Sequence, residues 1–167
     1  MKALLSRATI ASLLLGTSML ASAADLPRTP APEGAEVFIV SPKDGATVDK
    51  TFTVKFGVKK LDLEPIDKQV PNAGHHHLLV DQKVESLNAD EAIPATPTSI
   101  HFGKAQTETE LTLTPGKHTL QLVAGDNVHR QFEPTVASKV ITINVKSALF
   151  GQKNGRPLRV SHFLSSA

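Results

Sequence analysis

Thr51-Phe52-Thr53-Val54-Lys55-Phe56-Gly57-Val58 is the stretch of sequence that decides the fold. Phe52, Val54, Phe56 and Val58 alternate with polar residues along it. Because side chains of a β-strand point to opposite faces in turn, this alternation predicts a strand with one face in a core and the other in water.

Similar short segments lie on both sides of this stretch and are separated by turns that contain Pro and Gly. Strands are predicted at residues 36–40, 75–81, 106–113, 117–124 and 136–145. Val145 and its apolar neighbours indicate that the last strand is buried at its end. A tight turn is predicted at Pro115-Gly116. Residues 82–99 are predicted to be a long loop with a helical turn near residues 86–92.

These segments show no convincing helical periodicity. Six or seven short strands separated by turns are typical of an antiparallel β-sandwich. We therefore predict an all-β, immunoglobulin-like antiparallel β-sandwich of about seven strands, with a closed barrel as the alternative.

The first 23 residues have the three parts of a secretory signal peptide. Lys2 and Arg7 supply the positive start, residues 8–20 are apolar, and Ala21-Ser22-Ala23 forms a cleavage site. The apolar part is short for a membrane span, which favours a cleaved signal over an anchor. We expect the mature chain to begin at Ala24 and to work in a bacterial periplasm or outside the cell.

The chain divides into four predicted regions. Residues 1–23 are the signal peptide, and residues 24–34, which contain Pro27, Pro30 and Pro32, are predicted to be an extended linker. Residues 35–146 form the predicted sandwich domain. Residues 147–167 form a basic tail that we expect to be flexible.

The composition of the mature chain excludes several classes of function. Removing Lys2 and Arg7 leaves sixteen basic and sixteen acidic residues, a balance that does not suggest nucleic-acid binding. The mature chain has no Cys, Met, Trp or Tyr, so disulfides are excluded and carbohydrate binding is disfavoured. We expect no membrane span after cleavage. Motifs of the G-x-S-x-G and H-E-x-x-H kinds are absent, so we do not predict an enzyme. A hydrolytic enzyme whose catalytic metal keeps an open position is the third alternative.

Gly74-His75-His76-His77-Leu78-Leu79-Val80-Asp81 is the most unusual string in the chain. On a strand, His75 and His77 would share one face, and His76 would point the other way beside Leu78 and Val80. Two imidazoles spaced in this way can reach one metal ion.

Three more candidates for the same site lie in later segments. His101 follows the long loop, and Asp126 and His129 follow the end of the predicted strand 117–124. Imidazole suits zinc, copper(II) and nickel, and Asp126 would be a ligand or the partner of a ligand's free ring N–H. The absence of Cys and Met excludes blue-copper and Cys-type zinc sites and disfavours copper(I). The hypothesis is a zinc or copper(II) site drawn from His75, His77, His101, His129 and Asp126.

The alternative is that these histidines form a buried polar network in a structural or protein-interaction domain with a periplasmic protein partner. In that case His76 would hydrogen-bond across the two sheets. His118 is predicted to be structural, because it begins a strand in phase with Leu120 and Leu122.

The chain resembles an uncharacterised family of small secreted bacterial domains, known only as a domain of unknown function. The resemblance covers about residues 35–145 and rests on five motifs in order. They are a Ser-Pro-Lys-Asp-Gly turn, a Gly-His-His-His-Leu-Leu-Val-Asp strand, a His-Phe-Gly-Lys-x-Gln-Thr-Glu segment, a Pro-Gly-Lys-His-Thr-Leu-Gln-Leu strand and a Gly-Asp-x-x-His loop, at residues 41–45, 74–81, 101–108, 115–122 and 125–129.

This resemblance implies an immunoglobulin-like sandwich and a periplasmic address, and it brings no established activity. It also implies that the histidines are a shared feature of the family. One departure is that relatives often carry a second His after the Gly-Asp-x-x-His loop, whereas this chain has Phe132 followed by Glu133-Pro134-Thr135. If that second His is a ligand in relatives, this chain would bind metal more weakly or differently.

Overall fold

Two β-sheets make up the part of the chain that the structure, a computed structural model, describes: residues 27–68 and 70–147. The predicted signal peptide and residues 148–167 of the predicted tail lie outside this part. Within it, no helix is long and apolar enough to cross a membrane.

Eight strands are present in the described residues, with short 3₁₀ turns at Ile66–Lys68 and Val84–Ser86. In chain order they are β1 (Glu36–Ser41), β2 (Thr47–Val48), β3 (Thr51–Lys59), β4 (His75–Val80), β5 (Ser99–Phe102), β6 (Glu108–Thr112), β7 (Gly116–Gly125) and β8 (Ile141–Val145).

The strands form one three-stranded and one five-stranded sheet. The first has the order β1-β3-β6, and the second has the order β2-β8-β7-β4-β5. All pairs are antiparallel except β2 with β8. Because both sheets have open edges and pack through a shared core, the immunoglobulin-like sandwich prediction is confirmed and the closed barrel is wrong.

The core lies between the sheets, as the alternation in β3 predicts. Val54 and Phe56 are buried, whereas Thr53 and Lys55 are exposed. The two apolar residues pack in one cluster with side chains from the second sheet, which include Leu78, Leu120, Leu122 and Ile143. Val145 at the end of β8 is also buried, which confirms that expectation.

Two local predictions need correction. β5 follows the long loop and is missing from the predicted strands, because its four residues are too few for alternation to be recognised. The helical turn is a 3₁₀ turn at Val84–Ser86 rather than at residues 86–92. The predicted turn at Pro115-Gly116 connects β6 to β7, which belong to different sheets.

The predicted strand at residues 136–145 is also shorter in the structure, where β8 begins only at Ile141. Ser138 explains the difference. Its hydroxyl accepts a hydrogen bond from the Leu122 N–H (2.9 Å) and donates one to the Lys139 carbonyl (2.8 Å). A side chain that bonds to the backbone in this way replaces regular ladder bonds.

Candidate metal centre

β4 carries two of the candidate ligands, His75 and His77, and is buried on both faces. It lies between β7 and β5, and all six of its residues are buried. His76 points into the core between the sheets, where its ring meets Phe56 edge-on (5.3 Å between centroids). His75 and His77 lie on the opposite face of the sheet. The prediction that these two rings share a face is therefore confirmed.

His101 joins this pair through strand register. β5 runs antiparallel to β4, and His101 is directly opposite His77. The centroid of the His101 ring is 5.0 Å from that of His77 and 4.8 Å from that of His75. Two neighbouring strands thus place three imidazoles side by side on one face of the sheet.

His129 reaches the same place from a loop. It follows the end of β7, with a backbone φ of 68°. Its ring centroid lies 4.8 Å from that of His101, 5.0 Å from that of His75 and 6.1 Å from that of His77. All four predicted histidines therefore form one cluster, which we call the His cluster.

Distances within the His cluster define its donor set. The Nε2 atoms of His75 and His77 are 2.9 Å apart, so one ring donates a hydrogen bond to the other. One ring nitrogen each from His75, His77 and His101 lies within 4.8 Å of the others. Zinc–nitrogen bonds of about 2.0–2.1 Å keep ligand nitrogens within about 4 Å of one another, so small ring rotations would close the set.

The Asp126 carboxylate accepts hydrogen bonds from three protein donors. One oxygen accepts from the backbone N–H groups of Val128 (3.0 Å) and Arg130 (2.8 Å). The other accepts from the Thr29 hydroxyl (2.7 Å). This fully buried carboxylate thus organises the turn that carries His129.

Two glycines make room for the His cluster, and sequence reasoning missed both. A Cβ atom on Gly103 would lie 2.4 Å from Cε1 of His101, and one on Gly125 would lie 3.0 Å from Nε2 of His77. Neither glycine has a positive φ, so the backbone does not require them. The sequence signal that could have identified them is their place in the His-Phe-Gly and Gly-Asp-x-x-His motifs.

Burial favours the neutral form of His75, His77 and His101. It lowers the pKa of His75 to about 3 and that of His77 to about 2, with the neighbouring histidines as a further cause. The pKa of His101 is lowered as well, first by burial and then by His129. Because a metal binds the neutral imidazole, these rings are ready ligands at neutral pH.

A protein-family profile described as "Domain of unknown function (DUF4399)" matches residues 54–146. The chain belongs to this family. The matched region contains all four histidines of the His cluster, Asp126, and the two glycines that make room for the rings, Gly103 and Gly125. No curated protein sequence matches the chain.

The solved structures that match this DUF4399 chain share little sequence with it. A match to the fibronectin(III)-like modules of Clostridium thermocellum CbhA has 16% identity and a TM-score of 0.34, and it covers 65% of this chain and 92% of that one. A match to the endo-beta-1,4-mannanase from Thermotoga petrophila has 18% identity and a TM-score of 0.38. It covers 68% of this chain but only 20% of the mannanase.

Phe132 of the DUF4399 chain is part of the core. Its side chain is fully buried, and it packs in the same cluster as Leu78 and Leu122. The residue that follows the Gly-Asp-x-x-His loop after two positions is therefore an apolar side chain of the core.

His118 lies outside the His cluster, as predicted. Its Nδ1 is 2.7 Å from an Asp81 carboxylate oxygen, and its Nε2 is 2.9 Å from the Thr114 carbonyl. The bond to Asp81 is the main cause of a raised His118 pKa, and the Thr114 carbonyl adds to it. Only the protonated imidazole can donate from both nitrogens, so both contacts favour the charged form.

We expect this contact to make folding stability depend on pH. The folded pKa of His118 lies above the unfolded value of about 6.5, so the added stability is complete below that pH. It is lost as the pH rises through the folded pKa. His118→Gln should therefore cost more stability at about pH 5.5 than at about pH 8.5. Urea unfolding at both pH values measures this, and an equal cost at both would contradict it.

Proposed function

We propose that this DUF4399 domain is exported and binds one transition-metal ion, zinc or copper(II), through His75, His77 and His101, with His129 as a fourth ligand. The observation that carries the proposal is the approach of three ring nitrogens to within 4.8 Å of one another on one face of the sheet. Three or four imidazoles with no thiolate or thioether suit zinc, copper(II) or nickel.

Unpaired ring nitrogens favour a metal over a closed polar network. Within the described residues, Nδ1 of His77 and Nε2 of His101 are buried and have no hydrogen-bond partner. A buried polar atom without a partner costs stability, and a metal ion would use one such nitrogen directly.

His76 has a structural contact between the two sheets and is not part of the His cluster. Its Nδ1 is 3.2 Å from the carbonyl of Gln106, which precedes β6 of the first sheet. The pKa of His76 is lowered, mainly by burial. This contact across the sandwich is the kind that the alternative, a structural or protein-interaction domain, predicts for the whole cluster.

Export completes the proposal. The positive start, apolar stretch and cleavage site of residues 1–23 predict a mature chain that begins at Ala24 in the periplasm. In that chain, which has no Cys or Met, only histidine and carboxylate side chains remain as strong metal ligands. Mass determination of the protein recovered from a periplasmic extract tests the cleavage site.

The metal proposal is tested by titrating zinc and copper(II) into the mature protein and into a His77→Ala, His129→Ala double variant. We expect one ion per wild-type chain and negligible uptake by the variant. His118→Ala is the matched control, since it removes an imidazole outside the His cluster and should leave uptake unchanged. Equal, negligible uptake by wild type and double variant would refute metal binding. A loss of stability without any effect of metal would support the structural alternative.

A further inference from the structure

The segment that the sequence marks as a linker is bonded to the loop that carries His129. The Glu133 N–H donates to the Thr29 carbonyl (2.9 Å), and the Ala31 N–H donates to the Glu133 carbonyl (2.8 Å). Arg130 donates from Nη2 to the Pro27 carbonyl (3.0 Å). We call residues 27–31 the N-terminal strap.

Side chains reinforce this backbone pairing. Arg28 forms an ion pair with Glu133 and donates from Nη1 to the Phe132 carbonyl (3.3 Å). Thr29 donates its hydroxyl hydrogen to Oδ2 of Asp126 at 2.7 Å. The Thr29 contact is the one that reaches the buried carboxylate behind the His129 turn.

Asp126 connects the N-terminal strap to the turn that carries His129, because its carboxylate bonds to both. Its Oδ1 accepts from the N–H groups of Val128 and Arg130, the residues on either side of His129. The His129 N–H donates to the Asp126 carbonyl (2.9 Å). A left-handed φ of 68° is costly for a residue with a side chain, so the turn needs such support.

The backbone of His129 is fixed by different contacts from those that fix the other three histidines. His75, His77 and His101 are fixed by paired strands, whereas His129 depends on the Asp126 turn and on one backbone bond from Ile93 to its carbonyl (2.8 Å). The position of the fourth imidazole is therefore the most sensitive to changes nearby.

We infer that the N-terminal strap sets the position of His129 through Thr29 and Asp126, and so controls whether the fourth ligand engages the metal. This inference rests on the proposed metal binding, and it makes Thr29 and Asp126 positioning residues. Undocking of the strap would leave a site of three sheet histidines that holds its ion less tightly.

The experiment uses the mature protein with Thr29→Val, and with Thr29→Ser as the control that keeps the hydroxyl. Zinc affinity is measured by competition with a chromophoric chelator. We expect Thr29→Val to weaken binding about tenfold, the lower end of the usual effect of removing a partner behind a metal ligand, and Thr29→Ser to bind nearly as wild type. In a His129→Ala background, Thr29→Val should cause no further loss. An equal loss in both backgrounds, or none in either, would overturn the inference.

A second measurement separates this inference from the metal proposal. Hydrogen exchange of metal-free protein should be faster at the Val128 and Arg130 amides in Thr29→Val than in wild type, with β4 amides unchanged. If wild type binds no zinc but this local change appears, metal binding fails and the strap's hold on the turn stands. Unchanged exchange at both amides would overturn the inference even if the metal binds.

Discussion

Gly103→Ala is expected to weaken zinc binding about 10- to 100-fold although every histidine is still present. The added Cβ would lie 2.4 Å from Cε1 and 2.8 Å from Nε2 of His101, distances that force the ring to move. The ring is the far end of a side chain, so it can swing away without unfolding the strand. The expected loss matches that seen when a residue that orients a ligand is changed.

Competition with a chelator measures the effect, and a double-mutant cycle isolates its cause. In a His101→Ala background, Gly103→Ala should lower zinc affinity no further, because no ring remains to be displaced. Gly125→Ala should act in the same direction through His77 but less strongly, since its Cβ would lie 3.0 Å from the ring. Wild-type affinity in Gly103→Ala would contradict the placement of His101 in the site.

Phe132→Ala is expected to lower the free energy of unfolding by about 3–5 kcal/mol. Phe132 has 0% of its surface exposed and lies in the core, and its ring approaches Gly74 so closely that a Cβ there would be 3.1 Å from it. Domains of this size are typically stable by about 5–15 kcal/mol, so the change removes a large share of stability.

Urea unfolding followed by far-ultraviolet circular dichroism measures this loss, because the chain has no Trp or Tyr to report by fluorescence. Phe38→Ala is the matched control. Phe38 lies on the edge strand β1, and its ring is only partly buried. Its removal should cost clearly less, and an equal cost for the two substitutions would show that Phe132 is not a central core residue.

The sequence predicted the parts of the fold that depend on alternation. β3 shows this alternation. All residues of β4 are buried, and there the face shared by His75 and His77 follows from strand geometry alone. β5 has four residues, and its strand state depends on pairing with β4 rather than on its own pattern. For that reason the sequence could suggest that His101 meets His77, but the register that brings them together is visible only in the fold.

The parts of the site that sequence reasoning missed depend on tertiary contacts. A proline-rich segment is typical of a linker, yet residues 27–31 bond to the loop at residues 126–133 through backbone groups that carry no sequence signal. The closeness of Asp126 to His129 in sequence predicts a metal ligand or the partner of a ligand's free ring N–H. Its bonds to the Thr29 hydroxyl and to the backbone of the turn that carries His129 are visible only in the fold.

The pairing of His77 with His101 also bears on how the chain selects one fold over its near alternatives. If β5 slipped by one residue against β4, every side chain on β5 would change faces, and His101 would point into the apolar interior. A sandwich misaligned in this way would move the His101 ring away from His75, His77 and His129. The register that keeps the β5 side chains on their proper faces is therefore the same register that brings His101 to the His cluster.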